Sequence, residues 1–163
     1  MTTSYHDKVR DYIYDYGKAI RKVKQVFKEK QRPIAISYPY PRTKKKGITI
    51  YYEPDVYYIL KYSKKYMIFE MIESQEIYKT ISDFIRCYLC EHQIHSINFI
   101  TKDKDKRTEI INTLDTIQAR LKQIIKEKEK KKFEHNAIFI SESIFNSKKE
   151  VDKLLDNEIG KLI

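Results

Sequence analysis

The chain has 163 residues, the length of one ordinary domain, which is enough to bury a hydrophobic core. With 41% hydrophobic and 34% charged residues but only 3 Gly and 4 Pro, the composition excludes collagen-like, low-complexity and disordered chains. Lys and Arg total 33 against 23 acidic residues, which gives a net charge of +10. This excess predicts a polyanionic partner, either a nucleic acid or an anionic membrane surface.

The same composition bears on location. No apolar run approaches the ~18 residues that span a bilayer, and residues 1–7 lack the apolar stretch of a signal peptide. We therefore expect a soluble cytoplasmic protein with no membrane partner. The abundance of Lys, Ile and Tyr is also typical of proteins from AT-rich thermophile genomes, archaeal viruses among them. For a viral protein the location would be the host cytoplasm. Independently of the source, the positive charge could belong to solvated Lys-rich helices, and Lys/Glu enrichment is also typical of hyperthermophile proteins.

The first half of the chain predicts one helix and four strands. Residues 5–30 read as one long amphipathic helix, because apolar side chains recur at spacings of three and four: Tyr5, Val9, Tyr12, Tyr16, Ile20, Val23 and Phe27. This stripe could pack on a sheet or pair with a second copy of the chain. Strands are expected at 34–38, 48–52, 56–62 and 66–72, with a tight hairpin at the polar break 63–65.

The second half alternates helices and strands. We expect helices at 76–91 and 105–132, a last helix over 151–162, and strands at 96–100 and 137–140. The element order is α-β-β-β-β-α-β-α-β-α. It predicts an antiparallel meander followed by two strand–helix–strand crossovers with parallel strands. The chain should therefore form a single α/β (α+β) domain, 1–163, in which one mixed sheet lies between helices.

Two acidic residues occupy unusual positions. Asp55 follows Pro54 at the start of a strand, and Glu70 lies inside the apolar run 66–72, where an unpaired acid is costly. Carboxylates on adjacent strands could point into one cleft and hold a hard cation, Mg²⁺ or Mn²⁺. Alternatively, Asp55 is an ordinary turn residue after proline, and Glu70 forms a buried ion pair with a Lys or Arg.

Pro54-Asp55 and Glu70, with their order and spacing, resemble the motif of the PD-(D/E)xK nucleases, which have a restriction-endonuclease-like fold. The resemblance implies a core of helix, three-stranded meander, helix and parallel strand over about 5–101, with 102–163 as an extension of the sheet and its helices. It further implies a Mg²⁺-dependent deoxyribonuclease, with Asp55 and Glu70 as metal ligands. Nucleases of this fold are often dimers, so a homodimer is a further expectation.

One position departs from the motif. Two residues after the acid, where the family has a lysine that orients or activates the attacking water, this chain has Ile72. Three alternatives follow from the resemblance. Glu73 or Gln75 could replace the lysine, Lys79 on the following helix could reach back to the site, or the domain has lost catalysis and only binds.

Basic segments provide candidates for phosphate contacts. The best lies on a loop of the predicted meander, near the proposed cleft, and comprises Arg42, Lys44, Lys45 and Lys46. Such contacts would position a nucleic acid without reading its sequence. Residues 102–107 and 126–132 are also basic, although the second segment could be a solvated helix end. The tyrosines of the meander could stack on the bases of a single strand, but they are more often amphipathic sheet residues.

Cys87 and Cys90 form a CxxC pattern, followed by His92 and His95. Zinc binding is disfavoured, because the four residues fall within nine positions and largely on one predicted helix. A redox pair is disfavoured because the motif lies late in that helix, away from the N-terminus that lowers a thiol pKa. Buried thiols are the preferred interpretation.

Three functions thus remain open. The first is a Mg²⁺-dependent nuclease that hydrolyses phosphodiester bonds in DNA. The second is an inactive nucleic-acid-binding module with the same fold, which the missing lysine favours. The third is a structural or protein-interaction protein whose charge reflects its source.

Overall fold

Seven strands and four α-helices alternate along the part of the chain that our computed structural model describes, namely residues 4–38, 47–72, 77–90, 93–124 and 133–163. The helices are α1 (Tyr5–Ala19), α2 (Ile77–Leu89), α3 (Lys104–Ile124) and α4 (Lys148–Glu158). The strands are β1 (Val23–Lys28), β2 (Ile34–Tyr38), β3 (Ile48–Tyr52), β4 (Val56–Leu60), β5 (Tyr66–Met71), β6 (Ile94–Thr101) and β7 (Glu134–Phe139). Two short 3₁₀ segments, Glu142–Asn146 and Gly160–Leu162, flank α4.

The main sheet has five strands in the order β1-β4-β5-β6-β7. β4 is antiparallel to β1 and β5, whereas β5, β6 and β7 run parallel, as the crossovers predicted. The mixed α+β architecture with helices against the sheet is therefore confirmed. The expectation of a single sheet was wrong, because β2 and β3 pair only with each other and form a separate ribbon.

The prediction of one long N-terminal helix over residues 5–30 was also wrong in its second half. α1 ends at Ala19, and Ile20 is extended, with φ −87° and ψ 123°. Residues 23–28 form β1 and pair with β4. The helical pattern misleads here because the apolar residues of β1 do not follow a strict alternation. The register shifts between Val23 and Gln25, so Val23 packs in one core and Phe27 in the other. Pairing with β4 then decides in favour of the strand, and it adds one strand to the predicted order.

Two apolar cores lie on opposite faces of the sheet. One face is covered by α2, α3 and the β2–β3 ribbon, and it buries Ile34, Phe84 and Leu114. The other face is covered by α1 and α4, and it buries Val9, Ile13 and Leu155. The apolar stripe of α1 therefore packs on the protein's own sheet.

α1 approaches the sheet most closely at Gly17. A Cβ atom at this position would lie 2.3 Å from Cε1 of Tyr58, a fully buried ring on β4. The Tyr58 hydroxyl donates a hydrogen bond to the Ile13 carbonyl at 2.5 Å, so the ring is fixed beneath the helix. Glycine is thus required by the close approach of helix and strand.

β4 and β5 form the predicted tight hairpin. The Leu60 N–H donates to the Lys65 carbonyl at 3.0 Å, and Lys64 closes the turn with φ 59°. In the register, Val56 lies opposite Phe69, so Asp55 and Glu70 occupy the next facing positions. The hairpin alone therefore brings the two acids together.

Among the described residues, no helix has both the length and the apolar character needed to cross a membrane.

Candidate active site

Asp55 and Glu70 lie side by side at one end of the main sheet. Their exposed fractions are 8% and 5%, and the charge of Asp55 acts on Glu70. Glu70 faces α2, because it shares a strand face with Ile68 of the core on that side, whereas Asp55 lies just before β4, where His6 of α1 reaches it. The structure therefore brings together the two acids that the sequence singled out.

Asp55 is held at both of its oxygens. Oδ2 accepts a hydrogen bond from the Met71 N–H at 2.8 Å, and Oδ1 lies 3.1 Å from Nε2 of His6 on α1. Burial alone raises the pKa of Asp55, but the His6 and Met71 hydrogen bonds outweigh it and leave this pKa below its ordinary value. Asp55 therefore stays ionised.

The pKa of Glu70 shifts in the opposite direction to that of Asp55. Its Oε1 accepts a hydrogen bond from the Tyr52 hydroxyl at 2.5 Å. Within the described ranges, no Lys or Arg forms an ion pair with it, so the expected buried ion pair is not found there. Burial, and then repulsion by Asp55 and Asp83, raises the pKa of Glu70 well above its ordinary value, although Tyr52 and Lys79 oppose this. A cation beside Asp55 would reduce this charge repulsion.

α2 adds a third acid and two cations on one helical face. Asp83 is 5% exposed, and Arg86 Nη1 lies 3.2 Å from its Oδ1. Lys79, four residues before Asp83, is an exposed residue whose charge acts on both Glu70 and Asp83. Burial raises the pKa of Asp83, against the attraction of Lys79 and Arg86. Of the predicted replacements for the motif lysine, Lys79 is thus one whose charge acts on these acids.

Other predicted site residues cannot be placed in this way. Glu73, Gln75, Arg42, Lys44, Lys45 and Lys46 all lie outside the described residues. Ile72, at the position of the motif lysine, donates its N–H to the Ile100 carbonyl at 2.8 Å and continues the sheet. Of the second basic segment, Lys102 is paired with Glu142 at 2.6 Å.

Sequence reasoning missed His6, Tyr52 and Asp83. Each comes from an element other than the β4–β5 hairpin, namely α1, β3 and α2. His6 and Tyr52 carry no local signal. A single histidine on a helix and a tyrosine in a strand are both common in proteins that contain a sheet. Asp83 could have been found, since it interrupts the apolar stripe of α2 one position before Phe84.

The oxygens of Asp55 and Glu70 fit a Mg²⁺ or Mn²⁺ ion. Both cations prefer oxygen ligands, and Mg²⁺ often takes only one or two carboxylates and keeps several waters. The raised pKa of Glu70 shows that two negative charges here need a compensating positive charge or a proton. Asp55 and Glu70 therefore supply ligand atoms of the type that the predicted cofactor requires.

A second acidic group lies nearby and has a different character. Among the residues that the structure describes, His6, Asp7 and Glu29 bring potential ligand atoms within 4.8 Å of one another. However, Arg10 Nη1 already lies 3.2 Å from Asp7 and 2.6 Å from Glu29. The guanidinium thus supplies the cation of this group, which we regard as an ion-pair network.

Cys87 and Cys90 are buried thiols and form no disulfide. Burial raises the pKa of the Cys87 thiol well above its ordinary value, and the charges of Asp83 and Glu70 act in the same direction. Such a thiol is a poor nucleophile. This supports the interpretation of Cys87 as a core residue.

The metal-free protein should lose stability as the pH rises from about 4.5, the ordinary pKa of a glutamate, toward the raised pKa of Glu70. In this window native Glu70 holds a proton that the unfolded chain has released, so the free energy of unfolding falls by up to about 1.4 kcal/mol per pH unit. Asp83 acts in the same direction. The stability that Asp55 contributes is complete above about pH 3.8 and is lost only as the pH falls below that value.

Urea unfolding in chelator across this pH range, on wild type and Glu70→Gln, measures the effect. The stability of Glu70→Gln relative to wild type should grow with pH. A difference that stays constant across the range would contradict the shift.

Comparisons of the chain with protein-family models, with curated proteins and with solved structures find no match. The function must therefore be argued from the site itself.

Proposed function

We propose that the chain is a metal-dependent nuclease with a restriction-endonuclease-like fold, which hydrolyses phosphodiester bonds in DNA with Mg²⁺ or Mn²⁺. The observation that carries the proposal is the facing pair Asp55 and Glu70. These are two buried carboxylates on adjacent strands, with no Lys or Arg ion pair to Glu70 in the described part of the chain.

The element order supports the proposed fold. With the β2–β3 ribbon taken as an insertion, the main elements follow the order α1, β1, β4, β5, α2, β6. This is helix, three-stranded meander, helix and parallel strand. Asp55 then immediately precedes the second strand of the meander and Glu70 lies on the third, in agreement with the resemblance.

The proposed roles follow from the contacts. Asp55 and Glu70 would hold the cation, which when bound supplies an activated water and stabilises the charge that develops on the phosphate. The Met71 N–H and His6 orient Asp55. Lys79, whose charge acts on Glu70, would attract a phosphate or orient the water. The net charge of +10 favours association with DNA.

The main rival is an inactive nucleic-acid-binding module. Ile72 favours it, because a half-buried apolar side chain stands where the motif has its lysine. A structural or interaction protein is the third candidate. These alternatives differ in metal binding, in cleavage and in the salt dependence of DNA affinity.

We expect the wild-type protein to cut supercoiled, linear or single-stranded DNA with Mg²⁺ or Mn²⁺ and not with chelator. Calorimetry with Mn²⁺ alone should show binding that is lost in Glu70→Gln and retained in Glu29→Gln, a variant of the neighbouring ion-pair network. A salt-sensitive gel shift without cleavage, under any metal, would support the binding module. The absence of both cleavage and DNA binding would leave the interaction protein.

A further inference from the structure

The Tyr52 side chain reaches Glu70 from outside the main sheet. Tyr52 is the last residue of β3, in the separate ribbon, and it is 5% exposed. Its hydroxyl donates to Oε1 of Glu70 at 2.5 Å. The ribbon thus delivers a hydrogen-bond donor to a proposed metal ligand.

The Tyr52 ring is fixed by α2. The Arg86 guanidinium lies 4.7 Å from the centre of the ring, and the same guanidinium pairs with Asp83. The ribbon is in turn attached to α2 by the Tyr38 hydroxyl, which donates to the Arg86 carbonyl at 2.9 Å. The hydroxyl therefore has little freedom to leave Glu70.

This contact limits how Glu70 could bind a cation. A cation held by both carboxylate oxygens would compete with the Tyr52 hydroxyl proton for Oε1. A cation held by Oε2 alone leaves that hydrogen bond intact and stays on the free oxygen. Mg²⁺ suits one-oxygen carboxylate ligands in a regular octahedron, whereas Ca²⁺ takes six to eight oxygens and readily accepts two from one carboxylate.

We propose that Tyr52 is a positioning residue that holds Glu70 as a one-oxygen ligand and thereby makes the site select Mg²⁺ and Mn²⁺ over Ca²⁺. The inference rests on the proposed function, since it presupposes a metal at Asp55 and Glu70. It deepens that function because it assigns the choice of cation to a residue outside the main sheet.

The test is the ratio of Mn²⁺ to Ca²⁺ affinity, measured by calorimetry without DNA, with Glu70→Gln as the blank. In Tyr52→Phe the Mn²⁺ affinity should fall about tenfold, the lower end for a lost partner of a metal ligand. The Ca²⁺ affinity should hold or rise, so the ratio shifts toward Ca²⁺ by about tenfold or more. Tyr57→Phe, which removes a hydroxyl that donates to the Arg32 carbonyl at 2.8 Å, is the matched control and should keep the wild-type ratio.

Each outcome is decisive. A folded Tyr52→Phe protein with the wild-type ratio overturns the inference and leaves the nuclease proposal standing. If Tyr52→Phe does not fold, the wild type decides, because a wild type that binds Ca²⁺ as tightly as Mn²⁺ overturns the inference as well. A wild type that binds neither cation overturns the proposed function and this inference with it.

Discussion

Asp55→Asn and Glu70→Gln should each reduce metal-dependent DNA cleavage by roughly 10³-fold or more, while the protein stays folded. Each variant removes one charged ligand of a two-carboxylate site, and a metal contributes several kcal/mol to charge stabilisation at a phosphate. Three tenfold steps correspond to about 4 kcal/mol. Both substitutions preserve shape, so the loss would reflect charge rather than packing.

The free energy of unfolding of the metal-free protein should not decrease in Glu70→Gln, although its cleavage activity does. The native protein buries Glu70 beside Asp55 and Asp83 at a cost in free energy, and a neutral amide avoids that repulsion. We therefore expect the metal-free variant to be at least as stable as wild type in urea. Asp115→Asn, an exposed acid on α3 that pairs with His135, is the control and should cleave normally. Undiminished cleavage by both Asp55→Asn and Glu70→Gln would sink the nuclease assignment.

Gly17→Ala should destabilise the protein by about 3 kcal/mol, the upper part of the range for overpacking a core. An added methyl group would lie 2.3 Å from the Tyr58 ring. The Tyr58 ring cannot shift easily, because it is fully buried and its hydroxyl is hydrogen-bonded to the Ile13 carbonyl. It also packs on Phe69, with the ring centres 4.7 Å apart. In an unconstrained helix the same change would stabilise by about 1 kcal/mol. The sign therefore distinguishes the close approach from helix propensity.

Thermal unfolding measures this effect, with an expected decrease in Tm of roughly 6–12 °C for a domain of this size. Gly160→Ala is the matched control. Its added methyl would meet only the Tyr16 hydroxyl, at 3.0 Å, the far end of a side chain that can shift. We expect a much smaller change there. A stabilised Gly17→Ala protein would show that α1 does not approach β4 this closely.

Much of the fold was predictable from local pattern. β2 and β3 have the predicted bounds, and the β4–β5 hairpin follows from the polar break between two apolar runs. β1 was not predictable, because its residues extend a helical spacing, and only its pairing with β4 reveals a strand. The separation of the β2–β3 ribbon was equally hidden, since no local pattern tells which strand will occupy the place beside β4.

The residues of the candidate site also differ in how far local sequence predicts them. Asp55 and Glu70 were predictable, because one hairpin joins them and an acid in an apolar strand is conspicuous. His6 and Tyr52 were not, since α1 and β3, which are separated along the chain, bring them to that hairpin. Asp83 could have been recognised on α2, but its place beside Glu70 depends on the packing of that helix. Lys79 was predicted as one alternative for a missing lysine, and this assignment stays a prediction.

The β4–β5 hairpin also bears on how the chain reaches its folded state. A turn of only five residues closes it, whereas the other pairings of the main sheet join strands separated by a helix or by the inserted ribbon. Short loops cost little entropy to close, so we expect this hairpin to form early in folding. Asp55 and Glu70 would then repel each other in the first structure to form. A divalent cation would act on the folding rate itself, because it would neutralise that repulsion before the rest of the sheet assembles.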